Sequence, residues 1–317
     1  MVRRSFAALV MVGLAALSVV PAPAQEPKVI IAMSGWTGFA PLTLAEKGGL
    51  FKKQGGDATI KFIPQKDRHL AIASGDVPCA ATTVETWIVW NANGVATKQV
   101  VQLDKSYGAD GMVVRKEIAK ISNLRGKTVA ASAPGTAPYF TLAWFLKKNG
   151  LTVKDVKVVN LEPGPAAQAF IAGQNDAAMT YEPYLSSVRE KPDAGKIIAT
   201  TLDYPMVMDT FGCTPKFIQE QPKLVQVMVN GYFDALEMIK AEPKKSYEIM
   251  GGAVKQTGEQ FEKSQSFLRW QDREANKKFF AGEIQAFSKD AAELLLELSI
   301  IKSVPDTNGI IDTRFIK

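Results

Sequence analysis

The stretch Phe170-Ile171-Ala172-Gly173-Gln174, followed by Ala177-Ala178-Met179-Thr180, repeats a pattern found earlier in the chain. The earlier copy reads Ile72-Ala73-Ser74-Gly75-Asp76, followed by Ala80-Ala81-Thr82, and the spacing from the central glycine to the final threonine is the same in both. In each copy the end of a helix passes through a glycine turn into a short apolar strand. The repeat predicts an α/β protein with two lobes of related design, the alternative being chance similarity between two α/β segments.

Around the first copy, short apolar strands alternate with helices of about ten residues. The predicted strands are Val29–Met33, Ala58–Ile63, Pro78–Thr82 and Gln99–Leu103, and the predicted helices cover residues 39–48, 66–74 and 84–93. This alternation indicates parallel sheets joined by crossover helices.

Two segments rich in Gly, Asp, Tyr or Pro, residues 104–113 and 200–210, are interpreted as crossings between the lobes. The sequence therefore predicts a first lobe from residues 25–110 plus 206–317 and an inserted second lobe from residues 111–205. Helical patterns dominate the chain after the second crossing, and this part is expected to pack back on the first lobe.

Length and composition are those of an ordinary folded protein. The 317 residues are 46% hydrophobic and 22% charged, which excludes a disordered chain, a collagen-like repeat and a disulfide-rich miniprotein. A formal charge of +6 is too small a surplus to predict a nucleic-acid partner. The single His, His69, begins a polar helix and is interpreted as a surface residue, so no metal site, cofactor or catalytic residue is predicted.

The first 24 residues have the composition of a cleaved export signal. Arg3 and Arg4 precede an apolar run over residues 6–20, and Ala22-Pro23-Ala24 places small residues where a signal peptidase cuts. The run is shorter than the roughly 20 residues of a membrane span. We therefore expect cleavage after Ala24 and a periplasmic mature protein, by Sec or twin-arginine export, the alternative being an N-terminal anchor.

The two cysteines lie far apart in the sequence, Cys79 in a predicted buried strand and Cys213 after the second crossing. Export would allow them to form one disulfide. Because the sequence does not give the distance between them, two buried thiols are the favoured interpretation.

Three groups of motifs, in their order and spacing, resemble those of a known family. They are Gly35-Trp36-Thr37-Gly38-Phe39-Ala40-Pro41-Leu42 with Ala45-Glu46-Lys47-Gly48-Gly49-Leu50-Phe51, then Asn123-Leu124-Arg125-Gly126-Lys127-Thr128-Val129-Ala130, then Thr180-Tyr181-Glu182-Pro183-Tyr184-Leu185. Over about residues 28–250 the chain resembles the solute-binding proteins of ABC importers, in particular the nitrate/sulfonate/taurine family. The resemblance implies a two-lobed periplasmic-binding-protein fold of type II with a ligand cleft between the lobes. It also implies three partners, namely a small-molecule ligand and a permease and an ATPase in the inner membrane, and we expect a monomer.

Polar residues follow four predicted strands at turns where helices begin. In open sheets, ligands lie beyond the carboxyl ends of the strands, where the free N–H groups of helix N-termini favour anions. The candidate binding residues at these turns are Ser34, Trp36, Thr37, Thr82, Thr83, Ser132, Gly135, Thr136, Tyr139 and Tyr181. Their hydroxyl groups can donate to an oxyanion, and the rings of Trp36, Tyr139 and Tyr181 can wall a small ligand. The alternative roles are helix capping for Ser and Thr, and ordinary packing for the aromatic rings.

Acidic residues complicate an anion site. Glu85, Glu182 and Asp209 are candidate binding residues, and Asp104 and Asp110 lie at similar strand ends or crossings. A carboxylate repels nitrate or bicarbonate and attracts an ammonium or amidinium group, although Glu85 and Glu182 could instead stabilise helix N-termini. An aminosulfonate, which carries both charges, would satisfy both halves of such a site, and a purely cationic nitrogen compound is the other option.

Together these observations predict an exported protein that captures an aliphatic sulfonate, a taurine-like solute or a related nitrogen compound by hinge closure and delivers it to a permease. One alternative is a ligand-sensing protein that signals through a membrane partner. The other is an enzyme similar to the pyrimidine-precursor synthases of thiamine biosynthesis. The export signal, the single His and the absence of clustered Cys argue against the enzyme.

Overall fold

The computed structural model describes residues 28–316. The predicted export signal at residues 1–24 lies outside them, so its cleavage stays a prediction. No helix in the described part is long and apolar enough to cross a bilayer.

Within residues 28–316, eleven strands form two sheets. The strands are β1 (Lys28–Met33), β2 (Asp57–Phe62), β3 (Cys79–Thr83), β4 (Lys98–Ser106), β5 (Asp110–Val114), β6 (Thr128–Ala131), β7 (Lys157–Asn160), β8 (Ala177–Tyr181), β9 (Lys196–Thr200), β10 (Met208–Cys213) and β11 (Leu268–Trp270). The first sheet has the order β11-β4-β10-β3-β1-β2, and the second has the order β7-β6-β8-β5-β9.

Helices connect and cover these sheets. They are α1 (Ala40–Lys47), α2 (Leu50–Lys53), α3 (Gln65–Ala73), α4 (Val84–Ala92), α5 (Ala137–Lys148), α6 (Pro163–Ile171), α7 (Tyr184–Arg189), α8 (Pro215–Glu220), α9 (Pro222–Ala241), α10 (Pro243–Ala253), α11 (Gly258–Gln265), α12 (Arg273–Lys278) and α13 (Ile284–Glu297). A π-helical segment, Phe279–Glu283, joins α12 to α13. The helices after β10 pack back on the first sheet's lobe, and Gly231 of α9 lies so close to Phe51 of α2 that an added Cβ would be 2.3 Å from the ring.

The two sheets share one topology, as the repeated glycine stretches predict. In the first sheet β1 pairs in parallel with β2 and β3, and in the second β6 pairs in parallel with β7 and β8. One strand in each sheet then runs antiparallel to both of its neighbours, β10 between β3 and β4, and β5 between β8 and β9. The first sheet carries a further strand, β11, which pairs antiparallel with β4. The expectation of parallel sheets is therefore wrong, because β10 and β5 enter their sheets from a crossing rather than through a crossover helix.

Helix α4 packs firmly against β10 through a buried chain of hydrogen bonds. The Trp87 indole N–H donates to Thr210 Oγ1 over 2.7 Å, and the Thr210 hydroxyl donates to Gln99 Oε1 over 2.8 Å. All three side chains are fully buried, and a buried indole needs such an acceptor. The chain fixes the position of β10, the strand that carries Asp209.

Two short segments connect the sheets, from β4 to β5 and from β9 to β10. The Ser106 hydroxyl at the end of β4 and the Thr201 hydroxyl directly after β9 lie 2.6 Å apart. In addition, Gly108 N–H donates to Thr201 Oγ1 over 2.9 Å. The second sheet is built from residues 110–200, while the first collects strands from both sides of that range. The two connections thus run side by side between the sheets.

Cys79 and Cys213 form a disulfide, so the expectation of two buried thiols is wrong. The two residues are direct partners across the antiparallel strands β3 and β10, and both side chains are buried. The bond joins positions 134 residues apart in the sequence and ties the returning strand β10 to the first half of its sheet.

Candidate functional site

One wall of the site is a row of side chains across three neighbouring strands of the first sheet. Asp209 of β10 is the register partner of Thr83 on β3 and of Asp104 on β4. Register partners in antiparallel strands present their side chains on the same face. These side chains therefore lie next to one another on one face of the first sheet, across three of its inner strands. All three are buried, namely Thr83, Asp209 and Asp104.

The facing wall comes from the second sheet. Asp110, the first residue of β5, is the register partner of Tyr181, the last residue of β8. Asp110 follows one connection between the sheets, which brings it close to the first wall. The polar side chains of the two sheets thus form two facing rows, close to the segments that connect the sheets.

Trp36 closes the site between these walls. Its ring meets the ring of Tyr181 edge to face, with centroids 5.2 Å apart, and its N–H donates to Asp104 Oδ1 over 3.2 Å. Gly38 makes this bond possible, since an added Cβ there would be 2.1 Å from Asp104 Oδ2 and 2.3 Å from Trp36 Nε1. The predicted role of Trp36 as a wall residue agrees with this geometry.

The walls enclose a small cavity of about 20 Å³, close to the size of one water molecule. Its lining residues are Ser34, Trp36, Phe39, Gln65, Arg68, Thr82, Thr83, Asp110, Ala137, Tyr181, Val207 and Asp209. Six of the residues predicted from sequence are in this set, namely Ser34, Trp36, Thr82, Thr83, Tyr181 and Asp209. Each of them stands at a strand end or crossing, which is why the strand pattern found them.

Arg68 is the cation of this cavity, and the sequence analysis missed it. Its Nε donates to Ile63 O over 2.9 Å and its Nη1 to Ala81 O over 2.7 Å, and the side chain is 1% exposed. Burial lowers the pKa of the guanidinium to about 10, with the nearby Tyr181, Glu162 and Asp209 acting in the opposite direction, so it stays charged at neutral pH. Ile72, four residues on and also buried, was the signal that Arg68 lies on the inner face of α3.

Gln65, also missed, links the two lobes at the cavity. Its Nε2 donates to the hydroxyls of Thr82 and Thr86, each over 2.9 Å, and its Oε1 accepts from Ala137 N–H over 3.3 Å. Ala137 begins α5 in the second lobe. Gln65 therefore joins the end of β3 to the first turn of α5.

Four buried carboxyl groups surround the cavity, and burial raises the pKa of each. The pKa of Glu85 rises to about 8 despite a hydrogen bond from the Thr83 hydroxyl, and the pKa of Asp110 rises to about 7. Burial also holds the pKa values of Asp104 and Asp209 well above the ordinary range. The negative charge of Asp104 adds to the effect at Asp209, whereas hydrogen bonds from Trp36 and Asp209 partly offset it at Asp104. This part of the protein therefore retains protons at pH values where exposed carboxyl groups have lost them.

Three predicted site residues are buried beside the cavity without lining it. Glu85 lies behind Thr83, and Thr37 and Ser132 are buried with hydroxyl oxygens that have no hydrogen-bond partner in the described part. The structure therefore places them next to the cavity rather than in its lining, and their role in binding stays a prediction.

Glu182 also lies outside the lining of the cavity. Its carboxylate is fully buried, forms an ion pair with Arg189 and accepts from Ser186 N–H over 3.1 Å. These partners lie on α7, so the side chain serves the start of that helix, as the alternative interpretation of this residue proposed.

Gly135, Thr136 and Tyr139 line a different groove, of about 790 Å³, together with His69. The Thr136 hydroxyl donates to Ala133 O over 2.7 Å and makes no capping bond to α5. These residues belong to the start of α5, which faces the cavity only through Ala137.

The chain resembles known proteins in sequence. The family model described as NMT1/THI5 like matches residues 36–246. The taurine-binding periplasmic protein of Escherichia coli (strain K12) is 27% identical over 237 residues, which are 73% of this chain and 72% of that protein.

Solved structures share the fold. The alkanesulfonate-binding protein SsuA from Xanthomonas axonopodis pv. citri, bound to MOPS, matches with a TM-score of 0.76 at 16% identity over 92% of this chain and 100% of that one. The periplasmic nitrate-binding protein NrtA from Synechocystis PCC 6803 matches with a TM-score of 0.72 at 15% identity over 90% of this chain and 85% of that one. The predicted two-lobed periplasmic-binding-protein fold is therefore confirmed.

Proposed function

The chain belongs to the NMT1/THI5-like family, and from that premise we propose that it is the periplasmic solute-binding component of an ABC importer. The observation that carries the proposal is the cavity between the two sheets, with Thr83 and Asp209 on one wall and Asp110 and Tyr181 on the other. The relative from Escherichia coli is named as a taurine-binding periplasmic protein, which supports binding rather than catalysis here. In this proposal the exported monomer delivers its solute to a permease that is driven by an ATPase in the inner membrane.

Capture occurs by hinge closure between residues 25–110 plus 206–317 and residues 111–205. The lobes rotate about the two connections, and a solute favours the closed form through contacts that the open form lacks. Three contacts already reach from one lobe to the other and support this mechanism: the Trp36–Tyr181 ring contact, the Gln65–Ala137 hydrogen bond, and a hydrogen bond of 3.4 Å from Thr37 N–H to Glu182 O.

The proposed solute is a small polar organic molecule, either an aliphatic sulfonate such as taurine or a related nitrogen compound. Arg68 supplies a positive charge at the cavity, and Asp110 and Asp209 supply acidic groups. Trp36 and Phe39 add apolar surface that removes water from these groups and so strengthens charged contacts.

The first test is a melting-temperature screen of the mature chain with taurine, ethanesulfonate, ethylammonium, guanidinium, nitrate and urea. A solute that binds only the folded chain stabilises it by about 2.7 kcal/mol at 100 times its Kd. We expect at least one solute to raise the Tm and to reduce the radius of gyration in small-angle scattering, because closure makes the molecule more compact. Sodium chloride at equal ionic strength is the control, and a panel with no shift beyond that control contradicts the proposal.

A further inference from the structure

We infer that the captured solute carries a cationic nitrogen, an ammonium or amidinium group, which is bound between Asp110 and Asp209. This inference rests on the proposed capture of a small solute and specifies which of the two solute classes the site accepts. A plain sulfonate or nitrate, which lacks such a group, is disfavoured once these carboxyl groups are ionised.

The geometry of the two carboxyl groups is the first argument. Asp209 comes from the first sheet and Asp110 from the second, and both line the cavity. Asp209 is 2% exposed and Asp110 4%, and in each the Oδ2 atom has no hydrogen-bond partner within residues 28–316. When the two carboxyl groups are ionised they only accept hydrogen bonds, so a donor bound between the two walls can serve both Oδ2 atoms. A nitrogen cation donates several hydrogen bonds and neutralises the charge at the same time.

The balance of charges is the second argument. Asp104 lies beside Asp209 and Glu85 lies behind Thr83, so four carboxyl groups share one buried region. Arg68 is the one cation among the residues that line the cavity, and its Nε and Nη1 donate to backbone carbonyls. Its charge offsets only part of this acidic region, and a cationic solute supplies further counter-charge while it is bound.

The chemistry of other ligands is the third argument. An anion placed beside Asp110 and Asp209 would add a like charge to a buried acidic region, which raises the free energy of the complex. Among residues 28–316, no group of three or more His, Cys, Asp or Glu side chains is arranged to hold a metal ion. Arg68 is then available for an anionic group at the other end of the same solute, so an aminosulfonate satisfies the site fully.

The experiment compares solutes that carry a cationic nitrogen with solutes that do not, and taurine and 2-hydroxyethanesulfonate are the matched pair. Isothermal titration calorimetry of the mature chain near pH 8 measures the affinities of taurine, 2-hydroxyethanesulfonate, ethylammonium and nitrate. We expect taurine, ethylammonium or both to bind at least 30-fold more tightly than 2-hydroxyethanesulfonate and nitrate, which is the size of one charge-assisted contact.

Asp209→Asn tests the position of the cation. The amide keeps the shape of the carboxyl group and removes its charge, so the affinity for the nitrogen cation should fall at least 30-fold. The matched control is Asp193→Asn, the same change at a fully exposed carboxylate of the second lobe, which should leave the affinity unchanged. The melting temperature of each variant without solute shows that it is folded.

The pH dependence supplies a readout that a structural role would not give. The charged and titratable groups that face Asp110 and Asp209 come from α3, α4, β4 and the end of β8, and they are Arg68, Glu85, Asp104, Tyr181 and Glu182. A cation binds the deprotonated carboxylates, so protons are released and its affinity rises as the pH increases through the pKa of Asp110, about 7. An anion would require protonated carboxyl groups, and its affinity would fall as the pH increases.

The outcomes separate this inference from the proposed function. Tight binding of 2-hydroxyethanesulfonate or nitrate, with affinity that falls as the pH rises, would leave solute capture intact and overturn the cationic nitrogen. Cation binding that survives Asp209→Asn undiminished would also overturn it. If no solute of the panel binds at any pH, the proposed capture fails together with the inference.

Discussion

Replacing Trp36 with alanine is expected to weaken solute binding at least 100-fold and to destabilise the fold. The side chain is 4% exposed, contacts the Tyr181 ring and donates a hydrogen bond to Asp104. Truncating a buried tryptophan costs about 3–5 kcal/mol in the free energy of unfolding. The affinity falls because the site loses the wall that excludes water and because the contact that joins the closed lobes is gone. Calorimetry with the strongest solute of the panel and unfolding in urea measure the two effects.

Trp36→Phe separates the ring from its N–H group. The variant keeps an aromatic wall but removes the donor to Asp104, so we expect a smaller loss of affinity than with alanine. The same hydrogen bond lowers the pKa of Asp104, and its removal should raise that pKa further. If Trp36→Ala bound the solute as tightly as the unaltered chain, this ring would not be a wall of the site.

Loss of the disulfide is the second large effect. A bond that closes a loop of this length, 134 residues, restricts the unfolded chain and contributes up to about 5 kcal/mol. Reduction with dithiothreitol should therefore lower the Tm by roughly 10 °C or more. Scanning calorimetry with and without the reductant measures the shift.

The chain offers a clean control for this prediction because Cys79 and Cys213 are its only cysteines. The double variant Cys79→Ala/Cys213→Ala should melt near the temperature of the reduced protein and should not respond to dithiothreitol. A Tm that is the same with and without the reductant in the unaltered protein would show that the bond does not form or does not stabilise the fold.

The sequence predicted the fold well wherever the signal is local. The glycine stretches ending in Thr82 and Thr180 predicted two related units, and the two sheets have the same order over five strands, with β11 as an addition to the first. The features that the sequence did not predict depend on pairing between segments that are far apart in the chain. Strands β5 and β10 join their sheets after a crossing, and no local pattern shows the partner of such a strand. The disulfide was missed for the same reason, since Cys79 and Cys213 become neighbours only when β10 pairs with β3.

The site was predicted in part, and the limits are physical. Strand ends are visible in a sequence, so Trp36, Thr83 and Tyr181 were found. The direction of a side chain after the strand end is not visible, and Glu182 and Thr136 therefore took other partners. Arg68 was missed because the charge of its side chain outweighed the one signal for burial, its position four residues before Ile72 on the same face of α3.

The most direct test of the account is a crystal structure of the mature protein with the solute that binds most tightly in the panel. We predict density for the solute between the two facing rows, in contact with Asp209 and Thr83 of the first sheet and with Asp110 and Tyr181 of the second. Density in the groove lined by Gly135, Thr136 and Tyr139, with none between those rows, would contradict the account.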